Sequence, residues 1–120
     1  MAYDEILCQR VRNLLGARTA FVETKLMGGL VFMVDGNMCC GVTGTSVLVR
    51  VGEAMRDSAL AKPHTRRMEF NGRSPKGFIF VGAKGCTTDK ALSNWLQQAL
   101  AFIATLPPKE KRKTAAKQKM

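Results

Sequence analysis

The sequence predicts an α+β fold. An antiparallel sheet of about five to six strands is covered mainly on one face by helices, a two-layer sandwich in the order helix, four strands, helix, two strands, helix. Three observations carry this. The stretch Gly28–Val51, GGLVFMVDGNMCCGVTGTSVLVRV, holds three apolar runs parted by Asp35-Gly36-Asn37 and Gly44-Thr45-Ser46. A second pair of runs, Thr65–Phe70 and Gly77–Val81, flanks Asn71-Gly72. Near the C-terminus, Leu92, Trp95, Leu96, Ala99, Leu100 and Ile103 recur at the spacing of one helical stripe.

The first helix is predicted from Tyr3 to about Leu15, where Tyr3, Leu7, Val11 and Leu14 stack on one face. Asp4 and Glu5 fall in its first turn, where the helix dipole favours negative charge, and Gly16 suits a C-terminal cap. Ala20–Leu26 reads as a strand or, equally, an extended link, and Met27-Gly28-Gly29 breaks it. Three strands follow at about Leu30–Val34, Met38–Val42 and Val47–Val51. Asp-Gly between apolar runs is a strong hairpin signal, because the turn needs residues that accept positive φ. Gly44 marks the second turn.

Leu30–Val34 is apolar on both faces, whereas Val47, Val49 and Val51 alternate against Leu48 and Arg50. A sheet with one solvated face should alternate throughout. Part of the outer face is therefore expected to be covered, by a helix or by a second subunit, and a homodimer is the economical choice. Gly52 to about Ala61 reads as a short helix ended by Pro63. Thr88 to about Leu106 is the long amphipathic helix, capped by Thr87 or Thr88 and stopped by Pro107-Pro108. Trp95 is expected to anchor the core.

The chain has 120 residues, enough for one domain with a modest core. No apolar run approaches the ~20 residues of a membrane helix, and the N-terminus lacks a signal pattern. A soluble cytoplasmic protein without membrane association is expected. The net charge is +10, and half of it lies in Lys109–Met120. That segment is expected to be a disordered basic tail following a domain over residues 1–108. Its cations, Lys109, Lys111, Arg112, Lys113, Lys117 and Lys119, suit weak, sequence-blind contact with nucleic acid through counterion release. The tail has no aromatic residue on which bases could stack.

Catalytic and metal chemistry find little support. Cys8, Cys39, Cys40 and Cys86 include no CxxC pair, and His64 is the sole histidine. The cysteines are expected to be small buried hydrophobes, with Cys39 and Cys40 pointing to opposite faces of their strand. His64 lies in the polar loop KPHTRR. No cofactor, metal or enzymatic activity is expected. The remaining candidate is a group of cations, Lys25, Arg50, Arg66, Arg67, Arg73 and Lys76, able to bind an acidic partner or an anion. Arg73 and Lys76 sit in the loop GRSPKG, which lacks phosphate-loop spacing. The long helix keeps cations off most of its exposed positions, which disfavours major-groove readout.

The segments KLMGGLVFMVDGNMCCGV, VLVRVG and MEFNGRSPKGFIFV, with the closing helix ALSNWLQQALAFIATLPP, together resemble the N-terminal domain of the TfoX/Sxy family. The resemblance runs from about Tyr3 to Pro108. The family's Met-Phe-Gly-Gly turn is here Leu26-Met27-Gly28-Gly29. The resemblance implies a regulatory, non-enzymatic domain of competence genes, a transcriptional coregulator working through protein contacts. The implied partner belongs to the transcription machinery, with a cyclic-AMP receptor protein as candidate. It also implies a secretion-chaperone-like sandwich that dimerises, here in stand-alone form. The alternative reading is a direct, largely non-specific nucleic-acid binder using the basic sheet face and the tail.

Overall fold

In the computed structural model, which describes residues 3–26, 28–69 and 77–107, the turn at Asp35-Gly36 takes φ of 54° and 78°. Both values lie in the left-handed region that an Asp-Gly pair tolerates. This turn joins β2 (Gly29–Val34) to β3 (Asn37–Thr43). With β1 (Val22–Leu26) before them and β4 (Ser46–Arg50) after, they form an antiparallel meander. Two later strands, β5 (Thr65–Arg67) and β6 (Phe78–Val81), complete a six-stranded sheet. The order in space is β1-β2-β3-β4-β6-β5, so β6 lies inside and β5 at the edge. Of the connection between β5 and β6, residues 70–76, with Phe70, Arg73 and Lys76, lie outside the described residues.

Helix α1 (Glu5–Gly16) begins later than the apolar spacing predicts. The Asp4 carboxylate accepts from the backbone N–H of Ile6 and Leu7 at 2.9 and 3.2 Å, fixing the start at Glu5. Tyr3 instead bridges to Gly44, and the Asp4 N–H donates to the Gly44 carbonyl at 2.8 Å. The buried face is Leu7, Cys8, Val11 and Leu15, with Tyr3 and Leu14 packed at its flank. Gly16 is the last helical residue rather than the cap beyond it.

The single helix predicted over Gly52–Ala61 divides into a 3-10 turn, Glu53–Met55, and α2 (Arg56–Leu60). Gly52 marks where the chain enters the 3-10 turn. Its φ of 91° is not helical, and it turns the chain sharply out of β4. Helix α3 (Asp89–Ile103) is capped by Thr88, whose Oγ1 accepts from the Ala91 N–H at 3.0 Å. It buries Leu92, Trp95, Leu96, Ala99 and Ile103. Trp95 is thus a core residue, with the Lys62 ammonium 5.1 Å from its ring centroid.

The buried residues of α1, α2 and α3 join Leu30, Phe32, Val42, Val47, Val49, Ile79 and Val81 in one cluster. All three helices therefore cover the same sheet face. This is an α+β sandwich, as the apolar patterning predicts. A further local expectation fails. The β2–β3 register pairs Phe32 with Cys40 and Met33 with Met38, which leaves Cys39 as the extra residue of a bulge. The bulge cancels the alternation, so Cys39 and Cys40 are both buried in the helix-side core.

Candidate functional site

The face of the sheet turned away from the helices carries the candidate site. The pairing registers line up Thr24, Val31, Gly41, Leu48, Phe80 and Arg66 across all six strands. In the neighbouring row Arg50 pairs with Phe78. Val31 and Leu48 are only 2 % exposed, yet neither belongs to the helix-side core. Phe78 and Phe80 are half-buried beside them, an outcome of strand alternation that sends Ile79 and Val81 inward.

Two arginines are fixed on this face. The Arg66 guanidinium lies 4.7 Å from the Phe80 ring centroid, and its Nη1 donates to Ser46 Oγ at 3.3 Å. The Arg50 guanidinium lies 5.3 Å from the centroids of both Phe78 and Phe102, and its Nη1 donates to the Met38 carbonyl at 3.3 Å. Phe102 belongs to the last turn of α3, so Arg50 sits where the sheet meets the helix end. Burial lowers the Arg50 pKa from its ordinary value, with the neighbouring Cys39 opposing; a guanidinium remains charged at neutral pH. Arg66 is exposed and, with Arg67, Glu69 and Phe80, borders an open depression of about 470 Å³. A guanidinium held over a ring keeps further N–H donors for a carboxylate or phosphate.

The cations named from the sequence do not gather in one place. Lys25 lies on β1 and Arg67 on β5, the two opposite edges. Five strand spacings separate them, about 24 Å. Both fall in helix-side rows, Lys25 across from Leu30 and Arg67 across from Ile79. Arg50 is on the other face. Arg66 is the cation that the strand order brings to the same face as Arg50. Arg73, Lys76 and the tail residues Lys109, Lys111, Arg112, Lys113, Lys117 and Lys119 lie outside the described residues. Sequence reasoning missed the aromatic half of the site. Its signal was the Phe78/Phe80 alternation, which gains meaning once β6 is known to lie between β4 and β5.

The thiols are poorly suited to nucleophilic work. Burial, reinforced by Glu5, pushes Cys8 up to about 11, and burial pushes Cys86 up to about 11. The hydrogen bond with Cys39, then burial, raises Cys40. All three are protonated at neutral pH, and the thiolate is the reactive form. Among the described residues, no three His, Cys, Asp or Glu side chains are grouped to hold a metal ion. His64 is exposed, in a turn with φ of 67°. Among the same residues, no helix is long and apolar enough to cross a membrane.

The family model of the TfoX N-terminal domain matches residues 13–103. The chain belongs to that family. The match to the TfoX domain starts within α1 and ends at the last residue of α3, so it takes in all six strands and both arginines of the outer face. Comparison with curated proteins and with solved structures gives no match. In this TfoX domain both arginines and the phenylalanines beside them lie within the matched residues.

Proposed function

We propose that this TfoX domain is a non-enzymatic regulatory module of competence-type genes, a transcriptional coregulator that works by binding a protein partner on its outer sheet face. Membership in the TfoX N-terminal domain family supports the regulatory role. The observation that carries the binding surface is the pairing of Arg66 with Phe80 and Arg50 with Phe78 on one face, around the nearly buried Leu48. Arginine and aromatic residues are the types that dominate interface energetics. Their charge suits an acidic segment of the partner, and a cyclic-AMP receptor protein is the partner to test first. Arg66→Glu and Phe80→Ala should each weaken capture of the purified receptor protein at least tenfold, measured where circular dichroism shows both variants folded. Unchanged capture in both variants, or no capture by the wild type, would overturn the reading.

A second reading has its own support. Phe78 and Phe80 lie two residues apart on one sheet face with arginines beside them, an arrangement that stacks unpaired bases in single-strand binders. Fluorescence anisotropy with a single-stranded oligonucleotide separates the two. Steep salt dependence together with loss of binding in Phe80→Ala supports nucleic acid. Binding that Phe80→Ala leaves unchanged assigns any attraction to charge alone.

A further inference from the structure

β1 is an open edge of the sheet. It pairs with β2 on one side, and no other described strand lies beyond it. Val22, Glu23, Thr24 and Lys25 are all exposed. An uncovered edge strand presents unpaired N–H and C=O groups, a template for another strand. Which groups face outward follows from the hairpin. Leu26 pairs with Gly29 across a two-residue connection, so that closing pair exchanges its hydrogen bonds directly. Val22, Thr24 and Leu26 then direct their backbone groups at β2, while Glu23 and Lys25 direct theirs away from the sheet.

We propose that β1 pairs antiparallel with β1 of a second copy of this chain, about a two-fold axis at Thr24. In that register the outward groups of Glu23 meet those of Lys25 in the second copy, and the reverse, giving four backbone hydrogen bonds. The side chains match as well. Glu23 and Lys25 both project to the helix side, where Glu23 is held by Arg12 at 2.6 and 3.1 Å. The axis therefore sets each Glu23 carboxylate against a Lys25 ammonium of the other copy, twice. Opposite charges directly across a strand pair are stabilising, and like charges are not. On the other face, Val22, which is 61 % exposed, lines a groove of about 380 Å³ with Thr24 and Met33. Pairing would cover this apolar margin.

The other edge resists the same use. β5 is three residues long, with Arg66 and Arg67 exposed, and a two-fold pairing about its centre would set Arg66 against Arg66. The assembly accordingly closes as a dimer instead of extending into a filament. The pairing uses neither Arg50 nor Phe80, so it stands or falls separately from the partner-binding reading.

Sedimentation velocity of the full chain at micromolar concentration tests the proposal. Wild type should sediment as a dimer. Lys25→Glu gives each strand two acids, and Glu23→Lys gives each strand two lysines, so each variant alone should fall to the monomer value. Mixing the two should restore a dimer, because every Glu then faces a Lys. Lys25→Pro removes an outward N–H and leaves the β1–β2 ladder whole; it should also be monomeric, with a native circular dichroism spectrum. A monomeric wild type would overturn the proposal. So would a dimer that persists in Lys25→Glu and Lys25→Pro, which would place the contact elsewhere.

Discussion

A methyl group added at Gly52 would lie 2.5 Å from the ring of Phe102. The two residues meet where the chain leaves β4 and the last turn of α3 comes down on it. Gly52 also has φ of 91°, and its N–H, with that of Val51, donates to the Gly77 carbonyl at 3.0 and 2.8 Å.

Gly52→Ala should therefore be costly for two separable reasons. Backbone strain contributes about 1–3 kcal/mol, and the clash with the ring adds to it. Phe102→Ala removes only the second cost. Urea denaturation of the double-mutant cycle should show a smaller penalty for Gly52→Ala in the Phe102→Ala background. Equal penalties would show that the ring moves aside freely.

Asn37 is 1 % exposed, and its Nδ2 donates to the Pro107 carbonyl at 3.1 Å, tying the start of β3 to the end of α3. Asn37→Ala should cost about 1–2 kcal/mol through the lost hydrogen bond. Asn37→Asp should be worse near neutral pH, because a buried carboxylate would face a carbonyl oxygen. Burial raises the pKa of that aspartate in the folded state above its unfolded value near ~4. The stability of the variant is then highest below that value and is lost as pH rises. Denaturation midpoints at acidic and neutral pH, each compared with the wild type, check the direction.

The thiols predict the alkaline side. Cys8 and Cys86 ionise at about 11 when folded, against 9.0 for an ordinary thiol. A raised folded value means that the stabilisation is present below the unfolded value and is lost as pH climbs from 9.0 towards 11. Stability against urea should fall across that window, and the fall should be shallower in Cys8→Ala. Absolute stability also drops in that variant from the small cavity, so the slope with pH is the measurement.

Arg50 joins the sheet to α3 through Phe78, Phe102 and the Met38 carbonyl. Arg50→Met keeps the apolar stem and loses the charge and its donors. It should cost about 1–2 kcal/mol by thermal or chemical denaturation, the range of a partly desolvated cation–π contact and one hydrogen bond. No loss would mean that the contact contributes packing alone.

The local elements were legible because each carries a local signal. Asp35-Gly36 announced its turn through the need for positive φ, and α3 announced itself through its apolar stripe. Two things were not legible. The bulge at Cys39 depends on how β2 and β3 register, and neither strand shows that separately. The strand order depends on β6 entering between β4 and β5, a contact between distant parts of the chain. That order sends Lys25 and Arg67 to opposite edges and gives Arg66 and Arg50 a common face. The cations could be named from the sequence, but their grouping could not. Asn37 likewise looked like a turn residue beside Asp-Gly, with nothing nearby to foretell its bond to Pro107.

Placement of β6 between β4 and β5 also means that synthesis and assembly run out of step. Thr65–Arg67 leave the ribosome before the strand they must bind, and for that interval the far side of Val47–Val49 has no neighbour. A nascent chain halted with Phe78 still inside the exit tunnel would expose that side as a sticky seam until β6 emerges.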